Sequence, residues 1–186
     1  FYRSYYNYKK NLLPFVTAKL AVSKDFYSKS KKCKWITNKF SRGRVHLMRS
    51  THDCLLTSIK TVMDDDPLLN CRIPGLENYS PTRIILDKKL KISLVSKVVK
   101  SANKVRTIIF FTQDNKEKVE RLKKLKIELI KTPPYIKGDI NLKEILVEIK
   151  SLGFSRIFLE TGLNLCTSFL KKGLVNDFQL FVSNQK

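Results

Sequence analysis

The sequence predicts an α/β domain in which a central, mostly parallel sheet is flanked by helices. Apolar segments of strand length alternate with helical patterns over most of the chain. The chain has 186 residues and a hydrophobic content of 42%, enough for one domain with a core. Six prolines and six glycines are too few for a disordered or fibrous chain. No apolar run approaches the ~20 residues of a membrane span, so a membrane protein is not expected.

Seven segments rich in β-branched, aliphatic or aromatic residues predict extended structure. They are 15–22, 54–57, 82–87, 107–111, 127–130, 156–160 and 175–182. Helical spacing occurs between several of them, and strands joined through helices pair in parallel. The pattern therefore predicts a largely parallel sheet.

Helical patterns account for much of the intervening sequence. The predicted helices are 38–50, 116–124, 142–152 and 163–170, with a short helical turn at 59–63. Thr37 or Asn38 is suited to cap the first of these. The run of three aspartates before Pro67 is typical of a solvated turn. Residues 73–81, with Pro74, Gly75 and Asn78, predict a loop.

The formal charge of +21 raises the question of a polyanionic partner. The excess consists of 28 lysines spread through the chain and only 9 arginines, and dispersed lysine is typical of a solvated surface. Arg42, Arg44, Arg49 and Arg72 are concentrated in one region, and arginine suits bidentate contacts with phosphate. A small phosphorylated ligand explains this concentration better than nucleic acid, although a basic nucleic-acid-binding module remains the rival class.

The cysteines and histidines show no metal-binding pattern. The cysteines are Cys33, Cys54, Cys71 and Cys166, and the histidines are His46 and His52. No CxxC pair or zinc spacing occurs among them. The sequence therefore predicts a cytoplasmic protein with reduced thiols and no bound metal.

Polar residues follow several predicted strands, where a parallel sheet collects its ligands at the carboxyl edge. Ser23 and Asp25 follow the first strand, residues 57–61 the second, and residues 160–164 the sixth. Residues 35–37 precede the first helix at the same edge. Trp35 alone is more often a core residue, and the single glycine at Gly162 is a weak dinucleotide fingerprint. These residues alone predict an α/β domain that binds an anionic ligand.

A series of motifs in a fixed order gives a more specific interpretation. They lie at 14–25, 35–37, 44–53, 61–72, 84–87, 157–162 and 169–177. The most specific is TVMDDDPLLNCR at 61–72, which is similar to a TVLxDDPxLxxR run. The chain from about 15 to 182 thus resembles the reductase domain of the bifunctional riboflavin-biosynthesis deaminase/reductase, in the dihydrofolate-reductase-like superfamily.

The resemblance implies a three-layer dihydrofolate-reductase-like domain that reduces the ribosyl group of 5-amino-6-(5-phosphoribosylamino)uracil with NADPH. The implied cofactor contacts are Ala21, Trp35, Thr37, Thr61, Asp65, Gly162, Leu163, Asn164 and Leu165. The implied substrate contacts are Cys33, Arg49, Leu69, Arg72 and Glu160. Lys19, Asp65 and Glu160 are the ionisable candidates for proton handling at the sugar. Arg49 and Arg72 can neutralise a substrate phosphate, and the helix that starts near Gly162 suits the cofactor pyrophosphate.

The resemblance also implies a domain organisation and a homodimer. Residues 1–13 resemble an interdomain linker, and residues 14–186 form the reductase domain, whose C-terminal end is expected to be incomplete. The H-x-E and P-C-x-x-C signature of the zinc deaminase is absent from the sequence, so this chain alone is not expected to deaminate a substrate. Because residues 1–13 resemble the linker, a deaminase domain is expected upstream in the parent protein. Phe26 replaces a family glycine and Cys33 a phosphate-binding serine, which alters the phosphate-side loop. A dihydrofolate-reductase-like enzyme with another substrate is the alternative within the fold.

Overall fold

The computed structural model describes residues 2–10, 13–25, 27, 38–113, 115–134 and 140–183. Within them the strands are β1 (Phe15–Val22), β2 (Cys54–Ser58), β3 (Thr82–Leu86), β4 (Thr107–Phe111), β5 (Glu128–Lys131), β6 (Arg156–Glu160) and β7 (Asp177–Val182). They form one sheet in the order β5-β4-β3-β2-β6-β1-β7, and every neighbouring pair is parallel. The predicted parallel sheet is confirmed.

Strand β6 lies between β1 and β2, although it begins about a hundred residues after β2 and further still after β1. Lys19 of β1 is in register with Glu160 of β6, and Leu56 of β2 is in register with Leu159. The carboxyl ends of β1, β6 and β2 are therefore neighbours at one edge of the sheet. This order brings the polar residues after each strand to the same place.

Helices cover both faces of the sheet. They are α1 (Tyr2–Lys10), α2 (Lys39–Ser50), α3 (Ile59–Asp65), α4 (Lys97–Lys100), α5 (Lys116–Lys124), α6 (Leu142–Ser151) and α7 (Leu163–Lys171). Buried residues of α6 and α7 pack on one face, and buried residues of α2, α3, α4 and α5 pack on the other. The result is the predicted three-layer arrangement.

The central strands are buried on both faces, as their continuous apolar runs predict. Ile84 points into the cluster with α6 and α7, whereas Ile85 points into the cluster with α2 to α5, and both are fully buried. Phe158 of β6 and Phe169 of α7 are also fully buried. Each such side chain contributes about 1.5–3 kcal/mol of burial free energy. This core holds the carboxyl edge of the sheet in place.

Caps at the helix starts agree with the sequence. Asn38 caps α2, because its Oδ1 accepts a hydrogen bond of 2.9 Å from the Ser41 amide. Ser58 caps α3 in the same way, with its Oγ 3.3 Å from the Thr61 amide nitrogen. Helix α3 runs to Asp65, two residues beyond the predicted turn, and ends at Asp66 in the left-handed conformation.

Several boundaries differ from the prediction for local reasons. Strand β3 ends at Leu86, one residue before the prediction, since the Asp87 carboxylate accepts the amides of Lys91 and Ile92 and turns the chain. Strand β7 begins at Asp177 rather than at residue 175. Helix α1 in the N-terminal arm and the single turn α4 were not predicted, and the loop at 73–81 contains one 3-10 turn, Glu77–Tyr79.

Among the described residues, no helix is both long enough and apolar enough to cross a membrane.

Candidate active site

An ion pair between α2 and the end of β6 lies at the centre of the candidate site. Arg49 Nε donates to Glu160 Oε2 at 2.9 Å, and Arg49 Nη2 donates to Glu160 Oε1 at 2.8 Å. The two side chains are only 9% and 17% exposed. Burial disfavours the charged carboxylate, but the Arg49 guanidinium outweighs it and lowers the pKa of Glu160. Burial also opposes the charge of Arg49, and Glu160 outweighs it and raises the pKa of Arg49. Both groups are therefore ionised at neutral pH.

Lys19 lies beside this ion pair on β1, in register with Glu160. Burial lowers the pKa of Lys19, while the Glu160 carboxylate partly opposes the shift and Arg49 adds to it. The ammonium also lies 5.7 Å from the centre of the Phe181 ring on β7. A lysine whose proton is held less tightly than usual, in a polar site, is suited to proton transfer.

The loop from Leu68 to Arg72 faces the same ion pair. Leu69 is buried and has a φ of 54°, a left-handed conformation that is rare for leucine. This conformation directs the Asn70 carbonyl to Arg49, whose Nη1 donates to it at 2.9 Å. Arg72 is exposed, and its Nη1 donates to Asn70 Oδ1 at 3.2 Å. The loop therefore places a second, more accessible guanidinium near the first.

His46 is a site residue that was missing from the predicted set. Its Nδ1 accepts the Arg72 amide at 3.2 Å and lies 3.1 Å from the Asn70 carbonyl oxygen. Acceptance of the Arg72 amide requires the tautomer of His46 that carries its proton on Nε2. Burial lowers the pKa of His46, and the charges of Arg49 and Arg72 lower it further. Its place in the motif at 44–53 and its position one helical turn before Arg49 were the sequence signals for this role.

Hydroxyl groups connect the ends of β2 and β6. Thr61 Oγ1 accepts the Gly162 amide at 3.3 Å and lies 3.4 Å from Thr161 Oγ1. Thr161 Oγ1 in turn donates to Ser58 Oγ at 3.3 Å. These bonds fix the strand-to-helix junction at which α7 starts, and so they bring the predicted cofactor residues Thr61 and Gly162 together.

The start of α7 is open to an approaching ligand. Gly162 is the N-cap and has no side chain with which to cap the helix, and Leu163 and Asn164 are exposed. A Cβ at Gly162 would meet only Thr61 Oγ1 at 4.0 Å. Its φ of −71° is also available to any residue. The described part of the protein therefore does not require glycine here, and a helix start of this kind suits a phosphate group.

The other predicted site residues either have no hydrogen bond with the Arg49–Glu160 pair among the described residues or lie outside those residues. Asp65 is exposed at the end of α3, and among the described residues no hydrogen bond joins it to Glu160. Ala21 is half-buried on β1, in register with Phe181. Leu165 is half-buried in the first turn of α7. The predicted residues Cys33, Trp35 and Thr37 lie outside the described residues.

The arginine cluster of the sequence is divided in the structure. Arg49 and Arg72 converge on Asn70, whereas Arg44 lines a separate cleft of about 250 Å³. Its other lining residues include Arg3, His52, Arg156 and Asp177. The cleft shares no lining residue with the candidate site. Within the described ranges, no three histidine, cysteine, aspartate or glutamate side chains come together to hold a metal ion.

Comparisons with known proteins agree with this arrangement. Residues 14–184 match the family described as the RibD C-terminal domain. Over 181 residues the chain is 33% identical to the riboflavin biosynthesis protein RibD of Aquifex aeolicus, covering 96% of this chain and 49% of that protein. The chain spans about half the length of the curated relatives that it matches.

Two solved structures share the fold. RibD from Acinetobacter baumannii has a TM-score of 0.81 at 23% identity, over 97% of this chain and 49% of that chain. A deaminase/5-amino-6-(5-phosphoribosylamino)uracil reductase from Thermotoga maritima has a TM-score of 0.79 at 25% identity, over 99% of this chain and 48% of that chain. The predicted fold class is confirmed.

Proposed function

The chain belongs to the RibD C-terminal domain family, and we propose that it reduces the ribosyl group of 5-amino-6-(5-phosphoribosylamino)uracil with NADPH. The product carries an open ribityl chain. The observation that carries the proposal is the meeting of Lys19, the Arg49–Glu160 pair and the Leu68–Arg72 loop at the carboxyl edge where α7 begins.

The residues present fit a nicotinamide dinucleotide. The open start of α7 at Gly162 suits the pyrophosphate, and Thr61 fixes that junction by accepting the Gly162 amide. When bound, the cofactor supplies the hydride that adds to C1′ of the sugar. The first turn beyond this junction consists of Leu163, Asn164 and Leu165, and these residues are proposed to line the cofactor site.

Arg72 is the proposed anchor for the substrate phosphate. The charge of Arg49 is compensated by Glu160 in a buried pair, whereas Arg72 is exposed and its guanidinium donates to the neutral side-chain amide of Asn70. An accessible guanidinium can bind a phosphate through two parallel hydrogen bonds. Arg49 then serves to orient Glu160 and the Asn70 carbonyl at the edge of the substrate site.

Lys19 is the proposed proton donor. As hydride adds to C1′, the bond from C1′ to the ring oxygen breaks, and that oxygen takes up a proton to become the free hydroxyl. Glu160 is held as the carboxylate by Arg49 and is a poor acid, while the lowered pKa of Lys19 makes its ammonium a better donor. Asp65 remains a proposed contact of the cofactor on the exposed side of the site.

The test is to titrate the protein with NADPH and with NADH, then add the ribosylaminopyrimidine phosphate and follow absorbance of the reduced nicotinamide. We expect oxidation that requires the substrate and prefers NADPH. Arg72→Ala should raise KM for the substrate at least about tenfold with little effect on the free energy of unfolding. Arg121→Ala on α5 is the matched control, since Arg121 is also exposed and, within the described part of the chain, forms its ion pair with Glu117 on its own helix.

Three outcomes separate the alternatives. NADPH binding without turnover would support the proposed cofactor site and contradict the proposed substrate. Turnover that is equally insensitive to Arg72→Ala and Arg121→Ala would reject Arg72 as the phosphate anchor. A folded protein that ignores NADPH but binds oligonucleotides with steep salt dependence would reject the reductase in favour of a nucleic-acid-binding module.

The proposal extends to the assembly. We propose a cytoplasmic homodimer whose parent protein also carries a zinc deaminase domain. Phe178, Leu180 and Val182 of β7 are 40%, 44% and 53% exposed, which supports burial of this strand in an interface. Sedimentation equilibrium tests the dimer, and a single species at monomer mass would reject it.

A further inference from the structure

Arg83 on β3 is a fully buried arginine that the proposed mechanism does not use. Its exposure is 0%, and it forms no ion pair with any described carboxylate. Burial lowers the pKa of Arg83 to about 10, so the group is still charged at neutral pH. A buried charge is expensive unless hydrogen bonds compensate it, so its partners explain why it is tolerated.

The hydrogen-bond acceptors of the guanidinium among the described residues are all neutral oxygens. On one side, Nε and Nη2 donate to Thr107 Oγ1 at 2.9 and 2.6 Å, and Nη2 also donates to the Val105 and Val98 carbonyls at 2.8 and 3.0 Å. On the other side, Nη1 donates to Ser101 Oγ at 2.7 Å and to the Leu68 carbonyl at 3.0 Å. One side chain therefore joins β3 to β4, the region after α4, and the loop that begins at Leu68.

The bond to Leu68 links this buried group to the candidate site. Leu68 immediately precedes Leu69, whose left-handed backbone turns the Asn70 carbonyl toward Arg49. A strained conformation of this kind persists only where its surroundings fix it. Arg83 fixes the residue before the turn, and Arg49 fixes the carbonyl after it. The Arg72 amide is then held by His46.

We infer that Arg83 is a positioning residue that holds the Leu68–Arg72 loop in the conformation that presents Arg72 to the substrate phosphate. The identity of the ligand in this inference rests on the proposed function. The role of Arg83 in the geometry of the Leu68–Arg72 loop does not depend on it. The rigid fork of arginine matters, because a lysine amine has no planar array with which to reach the Leu68 carbonyl and the Val105 and Val98 carbonyls at once.

The experiment compares Arg83→Lys and Arg83→Met with Thr107→Val in the full chain. Thr107→Val keeps the side-chain volume and removes two contacts of the guanidinium on the side away from Leu68. The Val105, Val98 and Leu68 carbonyls still hold the guanidinium, so this variant is the control for lost stability with the bond to Leu68 retained. We expect both Arg83 variants to raise KM for the substrate about tenfold, with the Kd for NADPH unchanged. We also expect hydrogen exchange at the Arg72 amide to accelerate about tenfold in the Arg83 variants and not in Thr107→Val.

The hydrogen-exchange measurement separates the two proposals. If the wild type does not turn over the substrate, the proposed function is wrong. The rate of hydrogen exchange at the Arg72 amide still tests the role of Arg83 in that case. Equal changes in all three variants, or a parallel loss of NADPH binding, would overturn the inference. It would also be overturned if neither Arg83 variant folded, since Arg83 would then serve the stability of the fold.

Discussion

Arg49 and Glu160 lie 111 positions apart in the chain and meet through two hydrogen bonds of 2.9 and 2.8 Å. The same bidentate geometry occurs between Arg106 and Glu128, at 2.7 and 2.8 Å, but those side chains are 44% and 47% exposed. The chain thus contains a buried pair and an exposed pair of matched geometry. Their comparison separates the effect of burial from that of hydrogen bonding.

We expect Glu160→Gln to reduce the free energy of unfolding by about 3–5 kcal/mol, because it leaves the buried Arg49 charge without a counter-charge. Glu128→Gln, the control, should cost less than about 1 kcal/mol, since water solvates Arg106. Urea denaturation at pH 7 measures both values. Equal losses in the two variants would show that the protein does not depend on the buried charge.

Stability should fall on mild acidification through the two histidines. Burial is the main cause that lowers the pKa of both His46 and His52 below 6.5. Around His52, Arg156 adds to the shift, while the Met48 carbonyl, Asp53 and Asp177 oppose it. The unfolded chain therefore takes up protons first as the pH falls. The contribution of each neutral histidine to the free energy of unfolding is fully present above pH 6.5. It is lost as the pH falls from 6.5 to the lowered pKa of that histidine in the folded protein, by at most about 1.4 kcal/mol per pH unit.

Denaturation curves between pH 7.5 and 5 check this expectation. His52→Gln should make the stability profile less steep than that of the wild type, since one of the two groups no longer titrates. Gln can still donate to the Met48 carbonyl, which His52 Nδ1 approaches at 2.6 Å. Identical slopes for variant and wild type would contradict the linkage.

Gly162→Ala should weaken NADPH binding at only a small cost in stability. The added Cβ meets nothing closer than 4.0 Å and the backbone φ is negative, so the cost is that of alanine as a poorer N-cap residue than glycine, about 0.5–1 kcal/mol. A methyl group on the helix start would nevertheless obstruct a pyrophosphate, and we expect the Kd for NADPH to rise about tenfold. Isothermal titration calorimetry measures it.

Gly43→Ala is the control for this experiment. Gly43 lies inside α2, where a Cβ would meet nothing within 4 Å. Alanine should add about 0.5–1 kcal/mol of stability there and leave NADPH binding unchanged. Equal NADPH affinity in both variants would mean that the cofactor does not approach the backbone at Gly162.

The described thiols should be unreactive in the native protein. Cys54, Cys71 and Cys166 are free and buried, and burial raises the pKa of Cys54 and Cys166. In a Cys33→Ser background, we expect no reaction with a thiol-specific disulfide reagent over several minutes at pH 7.5. All three thiols should react after denaturation. Rapid labelling of the native variant would reveal local opening of the core.

The strands and longer helices were predictable because their signals are local. Apolar periodicity marked β1 and α6, and the side chain of Asn38 marked the start of α2. Helix α4 has only four residues, too few for a periodic pattern. Helix α1 consists mostly of tyrosine, lysine and other polar residues without an apolar stripe, so its sequence gave no helical signal.

The site was predictable only in part for a related reason. The motifs supplied Arg49, Arg72 and Glu160, but no local pattern indicates that Arg49 binds Glu160 rather than remaining free for phosphate. The left-handed backbone of Leu69 and the role of His46 depend on contacts between separate segments. Such contacts follow from the strand order, in which β6 enters between β1 and β2.

The position of β6 also determines when the protein can fold. Its register partners in β1 precede it by 141 residues, as the pairing of Phe15 with Arg156 shows. Strand pairings that close such long loops form slowly, so they form late in folding. During synthesis, β1 and β2 have no shared neighbour until residues 156–160 have left the ribosome. Until then their open edges can pair with other chains, so the last third of the sequence controls the time for which the nascent protein is prone to aggregate.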